Sequence, residues 1–458
     1  MQAVSRITTQ EIQQAQLLPK SSGLPLIGSV PGLLQKQMGF FVDAWKEHGD
    51  IYELDLGLIS AVIVNHPDYA QHVLRDNWRN YGKGGEMYDS IRTFVGTSVL
   101  TLENEAWKKR RRILQPQFHR QHLAGLTHLM VEAIDECLAE WDKYAATGEA
   151  FDVSSEFNKI TMTVILRAMF GRDLQTDSLG ELGDTLRYVL GYMLAQMVTG
   201  KMPDWIPFTG KKRYQESLNE FDAFLYDIIE QRRNSSDERN DLLAMLLNLV
   251  DDETGESLTD LELRDETATV FAAGYETTSV AMTWALYQLS QNPDIADKLT
   301  QSVDSLSGNL PAFEDFHELG YARQVMEETM RLYPPAYFIP RQANDRDIIG
   351  GHRIDAGQLI FVMTLIIQQH PDFWDNPQVF DPERFAGETT RHPLAYLPFG
   401  AGQRKCIGQD FALMEGTMIL TQFAQRYRVL PVPEKKAETA LSTTLGNKGG
   451  VWIRIEKR

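Results

Sequence analysis

From Leu261 to Gln291 about thirty residues run without a proline, and Pro293 marks where they stop. This spacing predicts one long central helix with shorter elements packed around it. Within it lies Ala272-Ala-Gly-Tyr-Glu-Thr-Thr-Ser279. An interior glycine costs a helix about 1 kcal/mol against alanine, and adjacent threonines add a further penalty. Something other than helix stability therefore selects Gly274, Thr277 and Thr278. Thr277 is spaced to turn its hydroxyl toward the carbonyl of Ala273 and open the ladder locally, leaving a groove for a small molecule or water. Glu276 beside it is a titratable proton carrier. A threonine-rich core helix has the same appearance, so this stretch alone leaves both readings open.

Apolar residues three and four apart predict further helices over Leu123 to Tyr144, Glu156 to Phe170, Leu182 to Val198, Tyr214 to Arg233 and Asp241 to Val250. Strand signals are fewer: Ile51 to Val64 with a turn at Gly57, then Asp347 to Ile354, Leu359 to Val362, Tyr427 to Val432 and Val451 to Ile455. Leu18 to Gly32 is a stiff, irregular lead-in rich in Pro and Gly. The fold class is mainly α with a small β region, and no Gly/Ser linker divides the chain. One domain over 1–458 is expected, β-rich near 45–75, 335–365 and the C-terminal strands, and α-rich near 76–330 and 407–425.

The balance of 63 acidic against 45 basic residues, net −18, argues against a nucleic-acid binder. Two cysteines, Cys137 and Cys406, exclude a disulfide framework or a four-cysteine iron–sulfur cluster within the chain. Neither a signal peptide nor a roughly 20-residue membrane span is visible. A soluble protein of the reducing cytoplasm, without a transmembrane anchor, is expected.

Cys406 sits in Phe399-Gly-Ala-Gly-Gln-Arg-Lys-Cys-Ile-Gly408, just ahead of the apolar run from Phe411. Gly402 permits a tight turn, Arg404 precedes the thiol by two residues, and Gly408 lets the backbone approach a flat ligand. If Phe411 to Phe423 is helical, its N-terminal amides favour negative charge on sulfur. Such a thiolate suits an iron ligand or a nucleophile, whereas a lone cysteine is more often a structural one. No histidine lies within ten residues to act as base. Glu328 and Arg331 share a helix face, and Arg384 of Asp381-Pro-Glu-Arg-Phe385 is the candidate third member of a buried charged lock. Trp107 and Arg111, four apart amid five basic residues, suit a carboxylate.

In this order, these elements resemble the cytochrome P450 superfamily of soluble, bacterial-type haem-thiolate monooxygenases, over nearly the whole chain. Phe399, Gly402, Arg404, Cys406 and Gly408 meet its Phe-x-x-Gly-x-Arg-x-Cys-x-Gly signature, with Gly400 inside it. Glu328 and Arg331 meet its Glu-x-x-Arg pair, and Ala273, Gly274, Glu276, Thr277 and Thr278 its oxygen-binding helix. The resemblance implies that Cys406 is the axial ligand of haem b. It implies that Trp107, Arg111, Arg341 and Arg404, and more weakly Lys83, hold the haem propionates. It also implies that Gly274, Thr277 and Glu276 serve oxygen binding and proton delivery, with O2 as co-substrate.

The same resemblance implies insertion of one oxygen atom into a C–H bond, by hydroxylation or epoxidation. Leu58 to Ile63 is apolar apart from Ser60, where some fatty-acid hydroxylases carry Arg and Tyr, so a neutral hydrophobic substrate such as a terpenoid, steroid, macrolide or lipid is expected. Val99, Leu100, Met193, Met197, Ala273, Ala336 and Phe338 are the expected pocket positions. Leu182 to Val198 and Tyr214 to Arg233 should form a roof, joined by the apolar loop 199–210. The sequence carries no flavin or iron–sulfur module after Cys406, so electrons from NAD(P)H are expected through a reductase and a separate ferredoxin or flavodoxin. Its docking face is expected at Lys108, Lys109, Arg110 and Arg112. A monomer is expected. The other readings are a peroxide-driven or isomerising haem-thiolate enzyme and a non-catalytic haem sensor or carrier.

Overall fold

A computed structural model describes residues 8–458 except 22, 25–26, 58, 172–178, 200–209, 235–240 and 252. Eight helices frame the site: α1 (Gly85–Val95), α2 (Asn104–Leu114), α3 (Val153–Phe170), α4 (Leu179–Thr199), α5 (Lys211–Asn234), α6 (Asp260–Gln291), α7 (Gly320–Leu332) and α8 (Gln409–Arg426). The proline-free stretch is α6, a continuous helix of 32 residues, about 48 Å long at 1.5 Å per residue. A capping box starts it. Thr259 Oγ1 accepts from the Glu262 amide at 3.3 Å, and Glu262 Oε2 accepts from the Thr259 amide at 3.0 Å. Leu263, Phe271, Trp284 and Leu289 are all buried, so α6 meets protein on nearly every side and serves as the axis of the core. Helices α3, α5, α7 and α8 lie against it.

The small β region is assembled from distant segments. One five-stranded sheet runs in the order Ile51–Asp55, Ser60–Val64, Leu359–Val362, Ile339–Ala343, Tyr81–Gly82. Ser60–Val64 pairs in parallel with Leu359–Val362, in register Ala61 with Leu359. A second sheet joins Phe151–Asp152, Trp452–Lys457 and Tyr427–Pro431, and a C-terminal hairpin pairs Glu438–Leu441 with Leu445–Lys448. Among the described residues no helix is long and apolar enough to cross a membrane.

Two expectations are corrected, and within the stretches expected to be β-rich some strands form that no local run announced. Leu123 to Tyr144 is not one helix but parts of Arg120–Ala124, Thr127–Ala139 and Asp142–Thr147. The chain turns so that Trp141, fully buried, meets Phe151, Phe157 and Phe423 edge-on, and that core contact outweighs continuity of the apolar pattern. Tyr81–Gly82 and Phe151–Asp152 are strands inside the span read as α-rich, too short to carry a period. Ile339–Ala343 and the C-terminal hairpin gave no strand signal because Pro340 and the polar run of Thr, Ser and Gly break the alternation.

Candidate active site

The cysteine loop is held by its own backbone and by a close approach. The Cys406 amide donates to Phe399 O at 2.9 Å. Gly402 has φ +68°, and a Cβ there would stand 2.1 Å from Leu74 O, so only glycine fits. The thiol of Cys406 is exposed by accessible area although protein surrounds it, and burial is the first cause pushing it up. The Gly408 amide, at the N-cap of α8, pulls the other way, as do Arg111 and Lys405. Arg111 is thus the guanidinium that acts on the sulfur. Burial outweighs all three, so the thiolate needs a further positive partner. Cys137 differs: burial pushes its thiol up to about 11 in a packed helix.

Four cations converge nearby. Lys83, buried, donates through Nζ to Leu100 O. Burial and then Arg341, Arg404 and Arg111 drive its ammonium well below the usual range, with Glu103 opposing. Arg404 donates to Leu102 O at 2.7 Å and lies 3.9 Å over the Trp107 ring. Its guanidinium is depressed to about 10, by burial first and Arg341 next. Arg341, buried, donates to Pro340 O at 2.7 Å and to Tyr88 Oη at 3.3 Å. Arg111 donates to Gln115 Oε1 at 3.1 Å, and burial lowers it while Cys406 raises it. One nearby carboxylate, Glu103, acts on both Lys83 and Arg404. Four cations largely withdrawn from water, with this one carboxylate among them, favour a ligand with two carboxylates. Together with a deep thiol that lacks its counter-charge, this donor set fits haem, with iron for the sulfur and propionates for the cations.

On α6, Ala273 is exposed while Phe271 and Tyr275 around it are buried. Thr277 Oγ1 donates to Ala273 O at 2.6 Å. That bond forms without interrupting α6, so the expected opening of the ladder is corrected: the hydroxyl adds a second donor to the carbonyl in a continuous helix. Gly274 has a packing role as well, since a Cβ there would stand 2.8 Å from Ile165 Cδ1 on α3. Glu276 is held up by burial and accepts from Thr444 Oγ1 of the C-terminal turn at 3.0 Å.

Of the expected pocket positions, Val99 is buried and its amide donates to Glu266 Oε1 at 2.8 Å. Leu100 is half-buried, Met193 is buried on α4, Ala336 is exposed, and Phe338 packs on Tyr337 and Phe361 at 4.9 and 4.7 Å. The Met197 side chain and nearly all of the loop 199–210 lie outside the described residues.

The basic run is corrected in part. Arg110 is buried, bound to Glu266 at 2.7 Å and to Glu262, so it anchors α2 to α6 and offers nothing to a partner. Lys109 meets Glu256 at 2.8 Å, Arg112 meets Asp251 at 3.1 Å and Glu253, and Lys108 meets Glu105. Asp251, Glu253 and Glu256 largely neutralise this face, and sequence distance hid that pairing. By contrast the charged lock assembles. Arg331 grips Glu328 with two bonds of 2.6 and 2.7 Å, both side chains fully buried, and Arg384 Nε lies 3.4 Å from Glu328 Oε1.

Sequence reading missed two polar residues. Thr444 gave no signal beyond a turn. Glu415, on α8, is buried, and neither carboxyl oxygen has a hydrogen-bond partner. Thr278 on α6 acts on it more loosely, and burial pushes the acid from 4.5 up to about 8. A raised acid holds its proton in the folded state while the unfolded chain releases it. Its stabilisation is therefore complete below about pH 4.5 and is lost as pH rises toward 8, on the order of a few kcal/mol. Glu415→Gln should flatten that fall when denaturant midpoints are measured between pH 5.5 and 8.5. Equal slopes in both proteins would refute the assignment.

Residues 18–453 match the family model described as Cytochrome P450. Cyclooctatin synthase of Streptomyces melanosporofaciens is 33% identical, covering 90% of this chain and 90% of that protein. Cyclooctat-9-en-7-ol 5-monooxygenase of the same organism is 31% identical, over 90% of this chain and 89% of its own. Pentalenene oxygenase of Streptomyces avermitilis is 28% identical, over 95% and 96%.

Proposed function

This chain belongs to the cytochrome P450 family of haem-thiolate monooxygenases, and on that premise we propose that it hydroxylates a neutral, unsaturated terpenoid with electrons from a separate carrier. The observation that carries the oxygen-activating role is the pair of polar groups on α6, Thr277 and Glu276, beside the one exposed residue of that stretch, Ala273. The substrate class is supported by relatives whose names specify pentalenene and cyclooctat-9-en-7-ol.

When bound, haem supplies activation of dioxygen, so that one oxygen atom enters a C–H bond and the other leaves as water, using two electrons and two protons. Cys406 Sγ would hold the iron, and Lys83, Arg111, Arg341 and Arg404 the propionates, with Trp107 backing Arg404. The Thr277 hydroxyl, anchored on Ala273 O, presents its lone pairs for a proton or an ordered water. Glu276, whose carboxyl burial raises and Thr444 now holds, supplies a proton toward that hydroxyl once its side chain turns to it. Val99, Met193 and Phe338 exclude water and position substrate through shape alone.

A ferredoxin or flavodoxin with its NAD(P)H-dependent reductase fits the electron supply, in a cytoplasmic setting. Of the basic run, Lys108 and Arg112 line an open cleft with Trp107, Arg111 and Gln403 on the cysteine side, and the exposed Lys405 adjoins the thiol. Charge reversal at Lys108 and Lys405 should raise the apparent KM for an acidic carrier, whereas Arg110→Glu should unfold rather than uncouple.

Thr277→Ala tests the reading directly. Product formed per NAD(P)H consumed should fall about tenfold or more while oxygen uptake continues, measured with pentalenene and related unsaturated hydrocarbons and alcohols that shift the ferric spectrum from low to high spin. Unchanged yield per electron pair would overturn the oxygen-activating role.

A further inference from the structure

The turn of the C-terminal hairpin, residues 442–444, is a junction between the roof and the helix that carries the acid. Its flanks are fixed to the interior. Tyr337 Oη donates to Ser442 O at 3.0 Å, the Leu445 amide donates to Pro335 O at 2.9 Å, and Trp284 Nε1 donates to Leu445 O at 3.2 Å. Between these anchors two threonines reach out. Thr443 Oγ1 donates to Leu190 O on α4 at 2.6 Å, and Thr444 Oγ1 donates to Glu276 Oε1 at 3.0 Å.

Glu276 and Thr277 are sequence neighbours, but their polar atoms are engaged elsewhere, one on the hairpin and one on Ala273 O. Adjacent residues of a helix do not face each other, so a proton passed directly between them requires the carboxyl to swing away from Thr444, which holds its Oε1. We propose that Thr444 is a positioning residue: it parks Glu276 on the C-terminal hairpin, and a ligand lodged against α4 releases it by shifting the turn through the Thr443 bond to Leu190. This rests on the reading of Glu276 as the proton carrier.

The environment of Glu276 makes the parking measurable. Burial raises its carboxyl, while the Thr444 hydroxyl and then Arg187 of α4 lower it. A hydrogen bond to the charged form favours that form, so its loss leaves burial opposed by Arg187 and moves the titration to higher pH. Release by a ligand should do the same.

The test is an infrared titration of the holoenzyme, with the Glu276 carboxyl band identified by its disappearance in Glu276→Gln. Thr444→Val should move the midpoint up by about one pH unit, equivalent to a roughly tenfold change in proton affinity, and Thr444→Ser should restore it. In the unaltered protein, 4-phenylimidazole, whose nitrogen ligates iron while its ring fills the apolar pocket, should move the midpoint in the same direction. Thr443→Val should leave the ligand-free midpoint in place and abolish the ligand-induced shift. A midpoint unmoved by Thr444→Val overturns the positioning role, and a ligand shift that survives Thr443→Val overturns the link to the roof. The serine variant guards against misfolding, since it keeps the donor. Failure of Thr277→Ala to uncouple oxygen use would sink the functional reading instead, and these titrations would be unaffected by it.

Discussion

Cys406→Ser should yield a protein with no thiolate-type Soret band in the reduced carbon-monoxide difference spectrum and no measurable oxygenation, whereas Cys137→Ser should keep both. The reason lies in the two environments. Cys406 is exposed, on a loop shaped by Gly402, with the Gly408 amide, Arg111 and Lys405 all favouring negative charge on its sulfur. Bound iron would complete what those groups leave short against burial. A serine hydroxyl is far harder to deprotonate and a poorer electron donor, so the push on bound oxygen is lost even if haem is retained. Cys137 has burial against it and acidic neighbours in Glu140 and Glu136, so it stays an inert thiol. Retention of the band in Cys406→Ser would refute the ligand assignment.

The second large effect concerns stability. Arg331→Ala should cost about 3–5 kcal/mol, because removing one partner of a buried pair leaves the other charge uncompensated. Against a typical total of about 5–15 kcal/mol, the outcome is loss of soluble, haem-loaded protein. Glu328, at zero exposure, would lose its bidentate partner and keep only Arg384 and the Asp381 amide, and the carbonyls of Gln368, Pro377 and Val379, which Arg331 now satisfies at 3.2, 2.7 and 3.1 Å, would lose their donor. Arg331→Lys should recover only part, since one ammonium cannot span a bidentate carboxylate and three carbonyls. Arg384→Ala should be milder. Its guanidinium meets Glu328 at 3.4 Å and remains partly accessible, and the Asp381 amide still donates to Glu328 at 2.8 Å. Soluble yield and denaturant midpoints decide the ranking. An Arg331→Ala protein as stable as the parent would refute the lock.

What the sequence made legible followed from local rules. Thr277 and Ala273 stand one helical turn apart, so their bond could be read from spacing before any packing was known. Glu328 and Arg331 share a face for the same reason. The glycine of the cysteine loop was legible because a tight turn leaves few alternatives, although the obstacle that demands it, Leu74 O, is more than three hundred residues away in sequence. The Leu123 to Tyr144 reading failed because an apolar period does not show where a tryptophan must be tucked inward. The docking expectation failed at Arg110 because spacing within α2 cannot show that Glu262 and Glu266 of α6 lie opposite.

By itself the sequence determined the long axis helix, the thiol loop, the paired charges three residues apart and the kinship of the whole chain, since each depends on contacts within a turn or two. Tertiary structure alone decided the rest. It set Glu103 against Lys83 and Arg404, turned three of the basic-run side chains onto acids between 251 and 266, and set Thr444 against Glu276 across 168 residues of chain. Burial and charge are sums over neighbours in space. The neighbours that decide whether a carboxyl is a proton carrier, a lock or a counter-ion come here from segments that no local period connects.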